Sequence, residues 1–180
     1  MNMSMKNIKP LDGEMSITQN LFSVVTKLWP ALEYHGIKVL ELGSGIGTGH
    51  WVKEGYDITT VEHDLKWINS CEGAHYIHAP LTNAYYPKDV ITELFKNKFD
   101  IWIIDGPPGI LSDRTKILDI FEAKDKEVCW PKVIIVDDCQ REDGQKIANY
   151  FFNLHRGCPI FEVSNTKLGG PPHTARILLL

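Results

Sequence analysis

Three glycines and one distant carboxylate are spaced as a nucleoside site requires. Gly43, Gly45 and Gly47 end a short apolar run, Ile37, Val39, Leu40 and Leu42, which carries Glu41 inside it. Such a run reads as a strand buried on both faces. Glycines at its end let the chain turn tightly and leave the backbone bare, so that a ligand can approach main-chain N–H groups. Nineteen residues after Gly43 comes Glu62, closing a second apolar stretch from Tyr56 to Val61 and followed by His63. A carboxylate about 20 positions on, at the tip of the next strand, accepts from both hydroxyls of a ribose. The dinucleotide fingerprint asks for a further glycine where this chain has Thr48.

A second constellation is acidic. Asp105 ends the apolar stretch F-D-I-W-I-I-D, and Asp137 and Asp138 end another, Val133 to Val136. In a parallel sheet, ligands bind outside the carboxyl ends of the strands. Carboxylates gathered there repel one another unless a cation or a proton intervenes. Hard oxygen donors of this kind suit Mg²⁺, Ca²⁺ or Mn²⁺. Helix capping or loop ordering by Asp137 or Asp138 is the competing reading. Pro80 and Leu81, after a third short strand, stand at the same rim. His63, His78 and His173 are further polar candidates, and Arg114 and Arg141 are suited to an anionic substrate group or to plain solvation.

The elements that must position these residues alternate. A helix is expected from Ser16, with Ile17, Leu21, Val24, Val25 and Leu28 at helical spacing and Pro30 closing it. It serves either to cover a ligand or to pack on the sheet. Strands are expected over 37–42, 56–62, 76–78, 99–105 and 133–136, with helices over 49–54, 89–96, 113–123 and 144–154. Asp64 caps the turn from Leu65 to Ser70. Two closing strands, Ile160 to Val163 and Ala175 to Leu180, have no helix between them and form a hairpin, so the last strand runs antiparallel. The fold class is α/β, a doubly wound, Rossmann-like, seven-stranded sheet with a terminal antiparallel hairpin. Residues 1–180 read as one domain, with 1–35 a helical lead-in.

The run E-L-G-S-G-I-G-T resembles the first motif of class I S-adenosylmethionine (SAM)-dependent methyltransferases, whose sheet also ends in a hairpin. The resemblance implies SAM bound by Glu41, Gly43, Ser44, Gly45, Gly47, Glu62, His63, Pro80, Leu81 and Asp105, and it favours SAM over NAD. Metal-dependent O-methyltransferases of the catechol and caffeoyl-CoA type place an Asp after the fourth strand and Asp-Asn after the fifth. I-I-D-G and V-D-D-C look similar, with Asp138 where that family has Asn. This implies Asp105, Asp137 and Asp138 as ligands of Mg²⁺ or Mn²⁺. A loosely characterised class I group, some encoded near surface-sugar genes, shares a V-D-G-P-P-G loop, a later Arg and D-D-x-x-R. This chain is similar to it over residues 36 to 155 through Asp105 to Gly109, Arg114 and Asp138 to Arg141. Amino-group methyltransferases carry a polar residue, two prolines and an aromatic at the same loop, but here Gly106 and Gly109 stand at the polar and aromatic places.

The expected activity is O-methylation of a small hydroxylated molecule such as a sugar or glycan precursor, with Asp105 and Asp138 as the catalytic candidates. An amino-group methyltransferase, an NAD-dependent oxidoreductase and a non-catalytic nucleotide-binding module are the alternatives. A net charge of −4 gives no global attraction to nucleic acid or anionic membrane. No apolar run approaches a membrane span, and the N-terminus is too polar for a secretory signal. Cys71, Cys129, Cys139 and Cys158 stand singly, without zinc-site spacing, as reduced thiols do in a cytoplasm. A cytoplasmic protein with a small-molecule substrate is expected.

Overall fold

The computed structural model describes residues 19–28, 36–109, 112–122, 127–166 and 172–180. The expected lead-in over 1–15, the helix start at Ser16 and its stop at Pro30 lie outside the described residues, as does Ala123.

Side-chain alternation along the strands decides the layers. β1 (Lys38–Leu42), β4 (Ile101–Ile104) and β5 (Val133–Val136) are buried on both faces. Val39, Ile101, Ile103, Val133 and Ile135 enter one core, where they meet α1 (Gln19–Leu28) through Leu21, Phe22 and Val25 and α2 (Ile46–Lys53) through Trp51. Phe22 and Trp51 rings lie 4.8 Å apart. Of the two roles open to the first helix, packing on the sheet is therefore the one its buried face performs. Leu40, Leu42, Trp102, Ile104, Ile134 and Val136 enter the opposite core, covered by α3 (Lys88–Phe95), α4 (Leu118–Phe121) and α5 (Glu142–Leu154).

The remaining strands are β2 (Asp57–Glu62), β3 (His75–His78), β6 (Ile160–Thr166) and β7 (Pro172–Leu179), and the sheet order is β3-β2-β1-β4-β5-β7-β6. β1 to β5 run parallel, and β7 lies antiparallel between β5 and β6. The seven-stranded sheet with its closing hairpin is thus as the sequence predicts. β1 pairs with both β2 and β4, so the chain order reverses there and a crevice opens beyond the ends of those strands.

The closing strands reach three residues further into their connecting turn than expected, to Thr166 and from Pro172, and two helices also differ from expectation. The helix expected from Gly49 begins at Ile46, because the Gly45 N–H is capped by the Thr48 hydroxyl at 3.2 Å. The helix expected over 113–123 is a 3₁₀ turn, Arg114–Ile117, running into α4. Asp113 Oδ1 accepts the Thr115 N–H, which tightens the turn and buries Arg114 and Ile117. Among the described residues no helix is long and apolar enough to cross a membrane, and all four cysteines are free thiols.

Candidate active site

A cleft of about 280 Å³ opens at the carboxyl ends of β1, β2, β4 and β5. Its floor is a contact between two glycines. Gly43 takes φ +100°, and a Cβ on it would stand 2.6 Å from the Gly106 Cα. A Cβ on Gly106 would in turn meet the Gly43 Cα at 2.6 Å and the Tyr86 hydroxyl at 2.9 Å. Gly106 N–H donates to the Leu42 carbonyl at 2.5 Å, locking the two loops together. The sequence leaves Gly106 as a missing polar group; the structure leaves it no room for a side chain.

One wall is made by the loop after β1 and the end of β2. Glu62 is 3% exposed, and its Oε1 accepts the N–H groups of His63 (2.6 Å) and Asp64 (2.7 Å) while Oε2 accepts that of Ser44 (2.8 Å). His63 Nδ1 lies 2.7 Å from Oε1 without hydrogen-bond geometry. Below them Glu41, 2% exposed, accepts from the Thr48 hydroxyl at 2.7 Å. Burial pushes the Glu41 carboxyl up to about 8, against the opposing pull of that hydrogen bond. Thr48 thus fills the place of a dinucleotide-type glycine with a side chain that fastens Glu41, Gly45 and the loop together.

The opposite wall brings Asp105, Asp137 and Asp138 together at the mouth of the sheet, as expected. Their partners come from elsewhere. Asp138 Oδ2 faces Arg114 Nη1 at 3.2 Å and Arg141 Nη1 at 2.9 Å, and Oδ1 faces His173 Nε2 at 2.9 Å and Gln140 Nε2 at 3.0 Å. Arg114 Nη2 lies 3.7 Å from Asp105 Oδ1. His173 arrives because β7 runs antiparallel beside β5, with Val136 opposite Arg176, and its Nδ1 is 3.6 Å from Asp137 Oδ1. Burial alone would raise the Asp138 carboxyl, but His173 and Arg114 hold it well below the usual carboxylate range. Burial, then the charge on Asp105, pushes Asp137 up to about 8. Burial would lower Arg114, yet Asp105 and Asp138 raise it.

This arrangement departs from the expected divalent-cation site. Both oxygens of Asp138 are engaged, Asp137 is buried, and the positive charge the carboxylates need is supplied by guanidinium groups, with the His173 imidazole against Asp138 Oδ1. Among the described residues no group of three or more His, Cys, Asp or Glu is placed to hold a metal.

Of the expected cofactor residues, Gly43, Ser44, Glu62, His63 and Asp105 line the cleft. Glu41 and Gly47 are buried beneath it, Gly45 caps α2, Leu81 packs against a core cluster and Pro80 is exposed. Trp67 and Arg141 also line the cleft, and no feature of the sequence singles out Trp67. Arg114, read as a surface residue or an anion holder, is 1% exposed. Gly109 lies against Arg141, whose guanidinium a Cβ there would overlap. Of the turn Gly169 to His173 between the two closing strands, residues 169–171 lie outside the described residues, Pro172 opens β7 and His173 lines the cleft.

No protein-family model matches the sequence, and no curated protein aligns with it. Solved structures do share the fold. An O-methyltransferase from Bacillus cereus in complex with S-adenosylhomocysteine (SAH) is 15% identical over 93% of this chain and 84% of its own, with a TM-score of 0.57. The O-methyltransferase TomG from Streptomyces achromogenes, involved in tomaymycin synthesis and solved with SAM, is 13% identical over 92% and 82%, TM-score 0.59. A precorrin 8w decarboxylase from Methanobacterium thermoautotrophicum is 14% identical over 93% and 92%, TM-score 0.56. The fold is thus one that methyltransferases use.

Proposed function

We propose that the chain is a SAM-dependent methyltransferase that methylates a hydroxyl of a small hydroxylated molecule, a sugar or glycan precursor being the favoured class. The observation that carries this is the pair of walls around one crevice, a glycine loop with Glu62 on one side and Asp105 on the other. The residues fit SAM. The Gly43–Gly106 contact keeps the floor free of side chains, and Glu62 Oε2, with one N–H accepted, retains a lone pair for a ribose hydroxyl. Gly43 and Ser44 would hold the cofactor from below and Trp67 would offer an aromatic face beside Glu62. When bound, SAM supplies a methyl group already activated for in-line displacement.

The chain's part is to align the acceptor, exclude water and take a proton. Asp105, at the cleft and with its side chain 29% exposed, accepts the proton of the substrate hydroxyl. Asp138, engaged on both oxygens, holds the wall in place. The buried Thr48 argues against NAD, and the glycine contact at Gly106 leaves no site for the polar group of an amino-group methyltransferase. A cytoplasmic location would keep the four free thiols reduced.

The test is incubation with methyl-labelled SAM and a panel of hexoses, nucleotide sugars, catechols and amines. Label on a hydroxyl oxygen is the expected result. Label on amines alone would overturn the O-methyl assignment, and SAM binding with no transfer to any acceptor would favour a binding module.

A further inference from the structure

The wall of Asp105, Asp137 and Asp138 has the carboxylates of a cation site but already contains a cation. Arg114 sits on the turn that follows the Asp105 loop, and Ile117 of the same turn is fully buried in the core beneath. Its guanidinium is a fixed fork. One arm, Nη1, reaches Asp138 Oδ2 at 3.2 Å, and the other, Nη2, is aimed at Asp105 Oδ1 from 3.7 Å. Nη2 and Nε are buried without a hydrogen-bond partner among the described residues. A buried guanidinium nitrogen lacking an acceptor is costly, and closing the gap to Asp105 relieves that cost. A second guanidinium, that of Arg141, reaches the same Asp138 oxygen, Oδ2, at 2.9 Å. A divalent ion here would need oxygens at about 2.0–2.6 Å, beside two fixed positive charges.

We propose that Arg114 is the resident cation of this wall, a positioning residue that aims Asp105 at the substrate hydroxyl, so that the reaction proceeds without a divalent metal. The inference rests on the methyltransferase reading. The proton leaves the substrate hydroxyl for a carboxylate oxygen of Asp105 and passes to solvent after transfer. The guanidinium keeps its charge throughout and neither gives nor takes a proton.

Three measurements on the full chain test this. Mn²⁺ titrated into the wild-type protein with SAM present should keep its free-ion electron paramagnetic resonance signal, and EDTA should leave turnover of the best hydroxylated acceptor unchanged. Arg114→Ala should bind SAM within about twofold of wild type by calorimetry while kcat falls about 100-fold, the scale set by removing one preorganised charge partner. Millimolar guanidinium should restore part of that kcat, and Arg114→Lys should retain more of it than Arg114→Ala. The double variant Arg114→Met/Asp138→Asn, which leaves no unpaired carboxylate at position 138, guards against loss of folding; it should fold, bind SAM and remain slow. Stoichiometric Mn²⁺ binding, EDTA inactivation reversed by Mn²⁺, or wild-type kcat in the folded double variant would overturn the proposal. Failure of the wild-type protein to bind SAM would show first, and would remove the methyltransferase reading and this inference together.

Discussion

The two walls of the cleft partner their carboxylates, fully buried at Glu41 and Glu62 and half-buried at Asp138, by opposite means. On the β1–β2 wall, Glu62 and Glu41 are satisfied by neutral donors: the N–H groups of Ser44, His63 and Asp64, and the Thr48 hydroxyl. On the β4–β5 wall, Asp138 Oδ2 is satisfied by charge, from Arg114 and Arg141, while the His173 imidazole and the Gln140 amide meet Oδ1. Two neutral donors, His63 and Asp64, follow Glu62 directly in sequence, and Ser44 and Thr48 come from the loop after β1 and the start of α2; together they build a fixed cradle. Of the partners of Asp138, Arg141 lies three residues on, just before α5, whereas Arg114 and His173 come from a turn and an antiparallel strand that only the tertiary fold brings together. On the reading proposed above, the first wall holds the cofactor by shape and hydroxyl contacts and the second steers a proton.

The sharpest way to break the first wall is steric. Gly43→Val meets both the left-handed φ of +100° and the Gly106 backbone. Backbone strain and overpacking each cost about 1–3 kcal/mol, and their sum should remove most of the stability seen in urea unfolding. Next in size, Asp138→Asn strips the charge that Arg114 and Arg141 share, and should cost about 3–5 kcal/mol by the same measurement. Smaller again, Glu62→Ala should weaken SAM binding by about 1–3 kcal/mol in calorimetry. An effect of Glu62→Ala on stability larger than that of Asp138→Asn would undo the contrast between the walls.

The smallest effect per step is in the pH dependence. Glu41 and Asp137 are each pushed up to about 8. Unfolded carboxylates release their protons near pH 4, so between about pH 4 and 8 the native chain binds more protons than the unfolded one. Stability from these two groups therefore falls as pH rises through that window and is level above it. Asp138 is shifted the other way, and its contribution, present above about pH 4, is lost as pH falls further. Glu41→Gln should flatten the pH 4–8 decline by up to about 1.4 kcal/mol per pH unit, leaving the part due to Asp137. An unchanged slope in urea midpoints across that range would contradict the burial assigned to Glu41.

What the sequence made legible follows the same division. The glycine loop, Glu62 and the β6–β7 hairpin were readable because strand period, turn residues and short spacings are local signals. Even there, helix α2 starts three residues earlier than expected, since the Thr48 cap on Gly45 is a side-chain contact that periodicity does not register. The convergence of the three aspartates was readable from strand ends alone. Their partners were not. Nothing in R-T-K-I marks Arg114 as buried, and only the tight turn that packs Ile117 into the core puts it there. The mismatch matters because acidic residues at strand ends suggest a metal until the guanidinium between them is located.

Calorimetric titration of the purified protein with SAM and, separately, with NAD tests the central claim most directly. The account predicts saturable one-to-one binding of SAM, at least about tenfold (1.4 kcal/mol) tighter than any binding of NAD. Tighter binding of NAD, or no binding of SAM, would contradict it.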